Sequence, residues 1–219
     1  MRHFAVIGLG SFGLQVARRL TENGSEVLAV DVDSELVDDA KDLVSRAVIA
    51  DATDDRALGE LALETMDTIL LCMGSIENSV LAMIHLKELR VKRIVAMAVT
   101  PEHVKILNNL GADRVVYPEL DVANRLAGSL SWGNVLDHVP LTPGYSMLEA
   151  APPADMVGRS LKESGIRQKY NAMVIGIKEL VPEAFHMAPG ADFVIKPSDI
   201  LILLARDEDL ERFKSDGNK

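Results

Sequence analysis

Cysteine is almost absent from this 219-residue chain: Cys72 stands alone, so no intramolecular disulfide can form. It sits in the apolar run Ile69-Leu70-Leu71-Cys72-Met73, where a buried small hydrophobe is the expected state and a reactive thiol the alternative. Aromatic residues are scarce at 4%, no Arg/Lys cluster is interleaved with them, and 33 acidic residues against 23 basic ones leave a formal charge of -10. These shortages remove the stacking platforms of single-strand binders and argue against a nucleic-acid backbone or an anionic membrane surface as a partner. No stretch approaches the roughly 18 apolar residues that span a bilayer. Gly8 also interrupts the first apolar run before a signal-peptide core could form. A cytoplasmic protein is the expectation.

What is present is the composition of a globular chain, 48% hydrophobic and 26% charged, with room for one ordinary domain and a smaller one. Short apolar runs alternate with amphipathic stretches as far as about residue 130. The runs are Phe4 to Gly8, Val27 to Asp31, Ala47 to Ala50, Thr68 to Met73, Arg93 to Ala98 and Arg114 to Tyr117. Between and after them the periodicity predicts helices at Phe12 to Thr21, Ser34 to Leu43, Asp54 to Ala62, Ile76 to Leu89, Glu102 to Asn109 and Leu120 to Leu130, with Ser34 and Asp54 as N-caps and Pro101 in a first turn. Continuous apolar strands alternating with helices call for a Rossmann-like doubly wound parallel sheet, an α/β fold. After Trp132 glycine and proline become frequent, and only Met173 to Ile177 and Ile200 to Ala205 read clearly as strands, with short helices at Ser160 to Ser164 and Glu208 to Phe213. A small α+β lobe is expected there, which divides the chain into residues 1–132 and 133–219, with a disordered tail from Ser215 to Lys219.

The strongest chemical signal is Gly8-Leu9-Gly10-Ser11-Phe12-Gly13, which leaves the first strand and opens the first helix. In that setting the first glycine permits a tight turn, the second lets a pyrophosphate approach the backbone, and the third lets helix pack on strand. A helix N-terminus welcomes an anion without lysine or arginine, which reconciles an acidic chain with a phosphate ligand. Asp31 ends the second strand 18 residues beyond Gly13, where an acid grips a ribose 2'-hydroxyl and repels a 2'-phosphate. Asp31 and Asp33 also fit as solvated loop acids or caps of the Ser34 helix. Asp51, Ala52 and Thr53 close the third strand on the adenine side, although Thr53 equally suits a helix start. Met73 and Gly74, at the end of the fourth run, complete the nucleotide set.

A dehydrogenase would need a proton donor near such a cofactor. His103, followed by Lys105 after the fifth strand, is the best catalytic candidate, and an exposed first-turn histidine is the alternative. An NAD-dependent oxidoreductase acting on a small substrate therefore remains as the competing function. A sensing repressor lacks a basic recognition helix.

The two halves together resemble the RCK family, the regulators of K+ conductance that serve as nucleotide-binding subunits of Ktr/Trk potassium transporters. The resemblance runs through Phe4 to Gly13, Glu26 to Asp33, Asp51 to Thr53 and Leu110 to Glu119, then Val157 to Leu161 and Pro197 to Ile202. It implies a non-enzymatic regulatory subunit with ADP, ATP or NAD(H) in the crevice, docked on a membrane transporter subunit, and dimers assembled into an octameric ring. It places Glu119 where a carboxylate coordinates a divalent cation, Mg or Ca, between dimer-mates, while the residue itself also reads as a first-turn acid. It makes Leu120 to Leu130 a dimer seam, against the reading of an ordinary core-facing helix. In the second lobe it marks Arg167 and Asn171 as a site for cyclic di-AMP, although Met173 replaces a family asparagine. ATP-sensing relatives carry arginine where this chain has Ser11, and often a basic residue in the fifth strand where it has Ala96-Met97-Ala98. Both departures favour a diphosphate ligand.

Overall fold

A computed structural model describes residues 1–131 and 133–217, the side chain of Ser129 excepted. Trp132, at the expected boundary, and residues 218 and 219 lie outside the described residues. The chain divides into two compact units, Met1–Glu119 and Leu120–Lys219.

The first unit is built from β1 (His3–Ile7), α1 (Ser11–Glu22), β2 (Glu26–Asp31), α2 (Ser34–Ala40), β3 (Arg46–Ile49), α3 (Asp55–Gly59), β4 (Thr68–Leu71), α4 (Ile76–Glu88), β5 (Ile94–Met97), α5 (Pro101–Asn109) and β6 (Arg114–Val116). The six strands pair in parallel in the order β3-β2-β1-β4-β5-β6, so the order reverses between β1 and β4. Consecutive residues of the inner strands are buried because the two faces are covered separately. Ala5, Ile7, Leu28, Val30, Ile69 and Leu71 pack on one side with Ala82 and Leu86 of α4 and Leu107 of α5. Val6, Val27 and Ala29 pack on the other side with Ala17 of α1 and Val37 of α2. Helix starts follow side-chain chemistry. Asp33, Asp54, Ser75 and Thr100 cap α2, α3, α4 and α5, and Pro101 opens the last of these.

The repeats were expected, but several boundaries differ. Ser34 is the first residue of α2, one place after its cap Asp33. The stretch Asp54 to Ala62 yields only the five-residue α3, because Ala62 takes a left-handed conformation (φ 52°) and the chain re-forms as a short 3-10 turn at Leu63–Thr65.

Helix α6 (Pro118–Ser131) begins in the first unit and lies mostly in the second. The sequence boundary near residue 132 assigns it to the first lobe, whereas the division into compact units falls between Glu119 and Leu120. It is not core-facing: Leu120, Val122, Leu126 and Leu130 are 44, 63, 56 and 78% exposed.

The rest of the second unit is β7 (Val135–Thr142), β8 (Tyr145–Ala150), α7 (Leu161–Ser164), α8 (Ile166–Tyr170), β9 (Met173–Leu180), β10 (Glu183–Met187), β11 (Ile200–Arg206) and α9 (Asp207–Gly217). Its antiparallel sheet runs β10-β9-β11-β8-β7, five strands where two were expected. One face buries Leu148, Ala150, Ile177, Leu201 and Leu203 beneath Tyr170 of α8 and Phe213 of α9. The two rings meet edge-on with centroids 5.1 Å apart. The tail expectation fails for Ser215 to Gly217. These residues extend α9, which buries Leu210, Phe213 and Lys214 and is tied by the Tyr170 hydroxyl donating to Asp216 Oδ2 at 2.9 Å.

Candidate functional site

The crevice lies outside the carboxyl ends of β1 and β2, beside the reversal of strand order where open α/β sheets bind ligands. Gly8, the first residue after β1, has φ 94°, and a Cβ there would come within 2.7 Å of the Cys72 carbonyl oxygen. Both the backbone conformation and the close approach demand glycine. A Cβ on Gly13 would lie 1.9 Å from the Gly8 carbonyl oxygen, so α1 packs directly against the loop that precedes it. Gly10 differs: it is the N-cap of α1, no side chain caps it, and a Cβ there would meet nothing within 4 Å. No acid stands in the first turn of α1. An uncapped twelve-residue helix, open at its Gly10, Ser11 and Phe12 end, suits a phosphate held by backbone N–H groups.

Cys72 lies under this loop. Burial pushes its thiol up to about 12, so it is protonated at neutral pH and acts as packing.

The acidic side is organised by hydrogen bonds. Asp31 Oδ2 accepts the Leu9 N–H at 2.6 Å and Oδ1 accepts the Asp33 N–H at 3.0 Å, so this carboxylate clamps the glycine loop to the end of β2. An ionised carboxylate has about four lone-pair sites, which leaves capacity for a ribose hydroxyl. Asp33 caps α2 by accepting the Glu35 N–H at 2.9 Å. Asp51 Oδ1 accepts both the hydroxyl and the N–H of Thr53, at 2.7 and 2.8 Å. These bonds, the hydroxyl foremost, hold its carboxyl below the usual carboxylate range. Thr53 does not start the next helix, since Asp54 caps α3.

Gly8, Asp31, Asp51, Ala52 and Met73 therefore meet around one crevice of about 100 Å³. Gly74 follows Met73 and is exposed. Five further lining residues escaped the sequence reading: Ile7, Val30 and Ala50 at the strand ends, Val32 (66% exposed), and Asn78 on α4. The signal for Asn78 was available: Ser75 caps α4 directly after a strand and Gly74, and the third helical residue past such a cap lies near the strand end.

His103 is neither catalytic in placement nor exposed. It is fully buried, its Nδ1 accepts the Val99 N–H at 3.4 Å, and burial pushes its pKa down, which keeps it neutral. Thr100 Oγ1 accepts the His103 N–H, which places the ring behind the helix start.

Glu119 is exposed in the first turn of α6. Among the described residues no three His, Cys, Asp or Glu side chains converge to hold a metal ion.

In the second unit, Arg167 and Asn171 line a cavity of about 520 Å³ together with Leu141, Tyr145, Ala172, Met173, Leu204 and Arg206. Asn171 takes a left-handed conformation (φ 47°) at the end of α8, and its Nδ2 donates to Asp209 Oδ2 at 3.3 Å.

Comparison with known proteins matches the TrkA-N domain model to residues 4–118 and the TrkA-C domain model to residues 146–216. The chain is 37% identical over 214 residues to the Ktr system potassium uptake protein C of Bacillus subtilis (strain 168), covering 97% of this chain and 96% of that protein. It is 33% identical over 217 residues to the Ktr system potassium uptake protein A of the same organism, covering 99% and 97%. The solved structure of the GsuK channel bound to NAD superposes with a TM-score of 0.71 at 19% identity over all of this chain and 40% of that one, a likeness of fold. Among the described residues no helix is long and apolar enough to cross a membrane.

Proposed function

The chain belongs to the TrkA-N/TrkA-C family of RCK proteins, and we propose that it is the nucleotide-binding regulatory subunit of a Ktr/Trk-type potassium uptake system. The carrying observation is that both family models match in order, and the first encloses an uncapped helix end whose preceding loop is bonded to Asp31 through the Leu9 N–H. The ligand is an adenine nucleotide, with its diphosphate on the Gly10–Phe12 backbone, its ribose on Asp31, and its adenine by the Asp51–Thr53 turn. NAD is bound by the GsuK channel, and NAD(H) or ADP suits this crevice better than ATP. Asp31 and Asp51 line it, Ser11 supplies no cation, and the lining residues include no Lys or Arg to meet a γ-phosphate.

The reading is regulatory and not enzymatic: His103, the one histidine weighed as a proton donor, is buried, neutral and away from the crevice lining. Regulation follows if ligands bind two shapes of the subunit with different affinity and so shift a membrane partner between states. The subunit works at the cytoplasmic face of the membrane through that partner. Copies pair through the exposed apolar face of α6 and assemble into an octameric ring, and Glu119 with its dimer-mate holds a divalent cation. Arg167 and Asn171 form a second effector site, for cyclic di-AMP.

Calorimetry with ADP, ATP and NAD(H), with native mass spectrometry of the assembly, tests this reading. Binding of at least one nucleotide, weakened by Asp31→Ala, is expected. No binding of any of them, together with unchanged potassium uptake in cells carrying Asp31→Ala, overturns it.

A further inference from the structure

Helix α4 reaches the Asp51–Thr53 turn through the imidazole of His85. Its Nε2 lies 3.2 Å from the Thr53 carbonyl oxygen. A carbonyl only accepts, so Nε2 carries the proton and donates. The side chain is 21% exposed, and its Nδ1 is buried without a hydrogen bond, 3.7 Å from Glu88 Oε2. Leaving a buried ring nitrogen unpaired is unfavourable, and an apolar residue would fill this place without that cost. Beyond the longer Glu88 contact, what the imidazole adds is one hydrogen bond to one carbonyl.

That carbonyl belongs to the residue whose N–H and hydroxyl are already held by Asp51. Thr53 is thereby fixed at its N–H, its side chain and its C=O, and the neighbouring Ala52, buried, lines the crevice. Seven residues before His85, two helical turns, Asn78 lies on the same face of α4 and lines the same crevice. Its N–H donates to Ser75 Oγ at 3.3 Å, while its carboxamide has no partner among the described residues. A neutral amide can donate to a phosphate or accept from a hydroxyl without adding charge beside Asp31 and Asp51.

We propose that α4 holds the nucleotide side of the crevice, with His85 as a positioning residue that sets the Asp51–Thr53 turn and Asn78 as a direct ligand contact. This rests on the nucleotide-binding reading above. It ties ligand occupancy to a helix whose Ala82, Met83 and Leu86 are buried in the domain's core.

The test is calorimetry of ADP and NAD with the full chain and three variants. His85→Leu fills the space without a donor, His85→Gln keeps a donor, and Asn78→Ala removes the exposed amide. His85→Leu is expected to weaken binding about tenfold, the loss of one hydrogen bond's worth of order, and His85→Gln to recover most of it. In ligand-free protein the Thr53 and Asp54 amides should exchange faster in His85→Leu and return toward normal in His85→Gln. Asn78→Ala should weaken binding several-fold at an unchanged melting temperature. Equal affinities for wild type and His85→Leu, or equal losses in the Leu and Gln variants, overturn the positioning role, and wild-type affinity in Asn78→Ala overturns the contact. Failure of the wild type itself to bind any adenine nucleotide is a separate result and sinks the nucleotide reading first.

Discussion

Substituting alanine for Gly13 and for Gly10, two places that differ by one helical turn, should separate packing from ligand binding. At Gly13 the new methyl would start 1.9 Å from the Gly8 carbonyl oxygen and 3.0 Å from its carbon, both backbone atoms with no flexible end to yield. Reaching ordinary contact requires α1 or the loop to retreat by about 1.5 Å. Overpacking of this kind costs about 1–3 kcal/mol, and backbone on both sides puts Gly13→Ala toward the upper end. A fall in Tm of roughly 4–10 °C follows for a unit of this size. The same retreat moves the N–H groups of Ser11 and Phe12, so nucleotide affinity falls as well. At Gly10 a methyl would meet nothing within 4 Å, and φ of -56° suits any residue. Gly10→Ala should therefore change stability by less than about 0.5 kcal/mol, yet it places a methyl where a phosphate would touch the backbone and should cost tenfold or more in affinity. Differential scanning fluorimetry and calorimetry on both proteins check the pair. Wild-type affinity in Gly10→Ala would mean the anion does not approach this helix end, and a wild-type Tm in Gly13→Ala would refute the packing argument.

Three further outcomes are expected. Cys72 should resist alkylation at pH 8 in the folded protein, because burial holds its thiol at about 12, and should label at the rate of unfolding, so rapid native labelling would show an open crevice floor. The Asp51 carboxyl is depressed by its bonds to Thr53, so the stability it contributes is full above the ordinary value of 3.8 and is lost as pH falls through the lower folded value. A Thr53 amide shift that titrates above pH 3.8 in NMR would contradict that sign. Leu130→Asp, at a position 78% exposed, should leave the Tm of an isolated subunit unchanged and reduce the assembly mass in light scattering, and an unaltered oligomer would remove α6 as the seam.

The first unit was legible because each inner strand is covered on both faces, so Ala5, Val6 and Ile7 appear as one unbroken apolar run beside a glycine loop with only one structural reading. The second unit was less legible for a physical reason. Strand β7 is an edge strand that runs through Pro140 with a register irregularity just after it, and edge positions tolerate proline. Strand β10, Glu-Ala-Phe-His-Met, is also an edge strand and leaves Phe185 and Met187 exposed, so no inward alternation announces it. Pro143 and Gly144, which read as loop signals, turn a hairpin with Gly144 at φ 81°. His103 was misread because a polar residue in a first helical turn is ordinarily solvated, whereas here the helix start packs inward. His85 was invisible because its role runs through a carbonyl 32 positions away.

The glycine loop also limits how this protein can change over evolutionary time. Gly8 is pressed on the Cys72 carbonyl and Gly13 on Gly8, so substitutions at these two glycines are lost to selection before they can alter ligand choice. Ser11 at the start of α1, and Val32 and Asn78 in the crevice lining, are by contrast exposed. Lineages that diverge in which nucleotide they answer to should differ at those three positions while Gly8 and Gly13 stay fixed, and directed evolution toward a new effector has its open ground there.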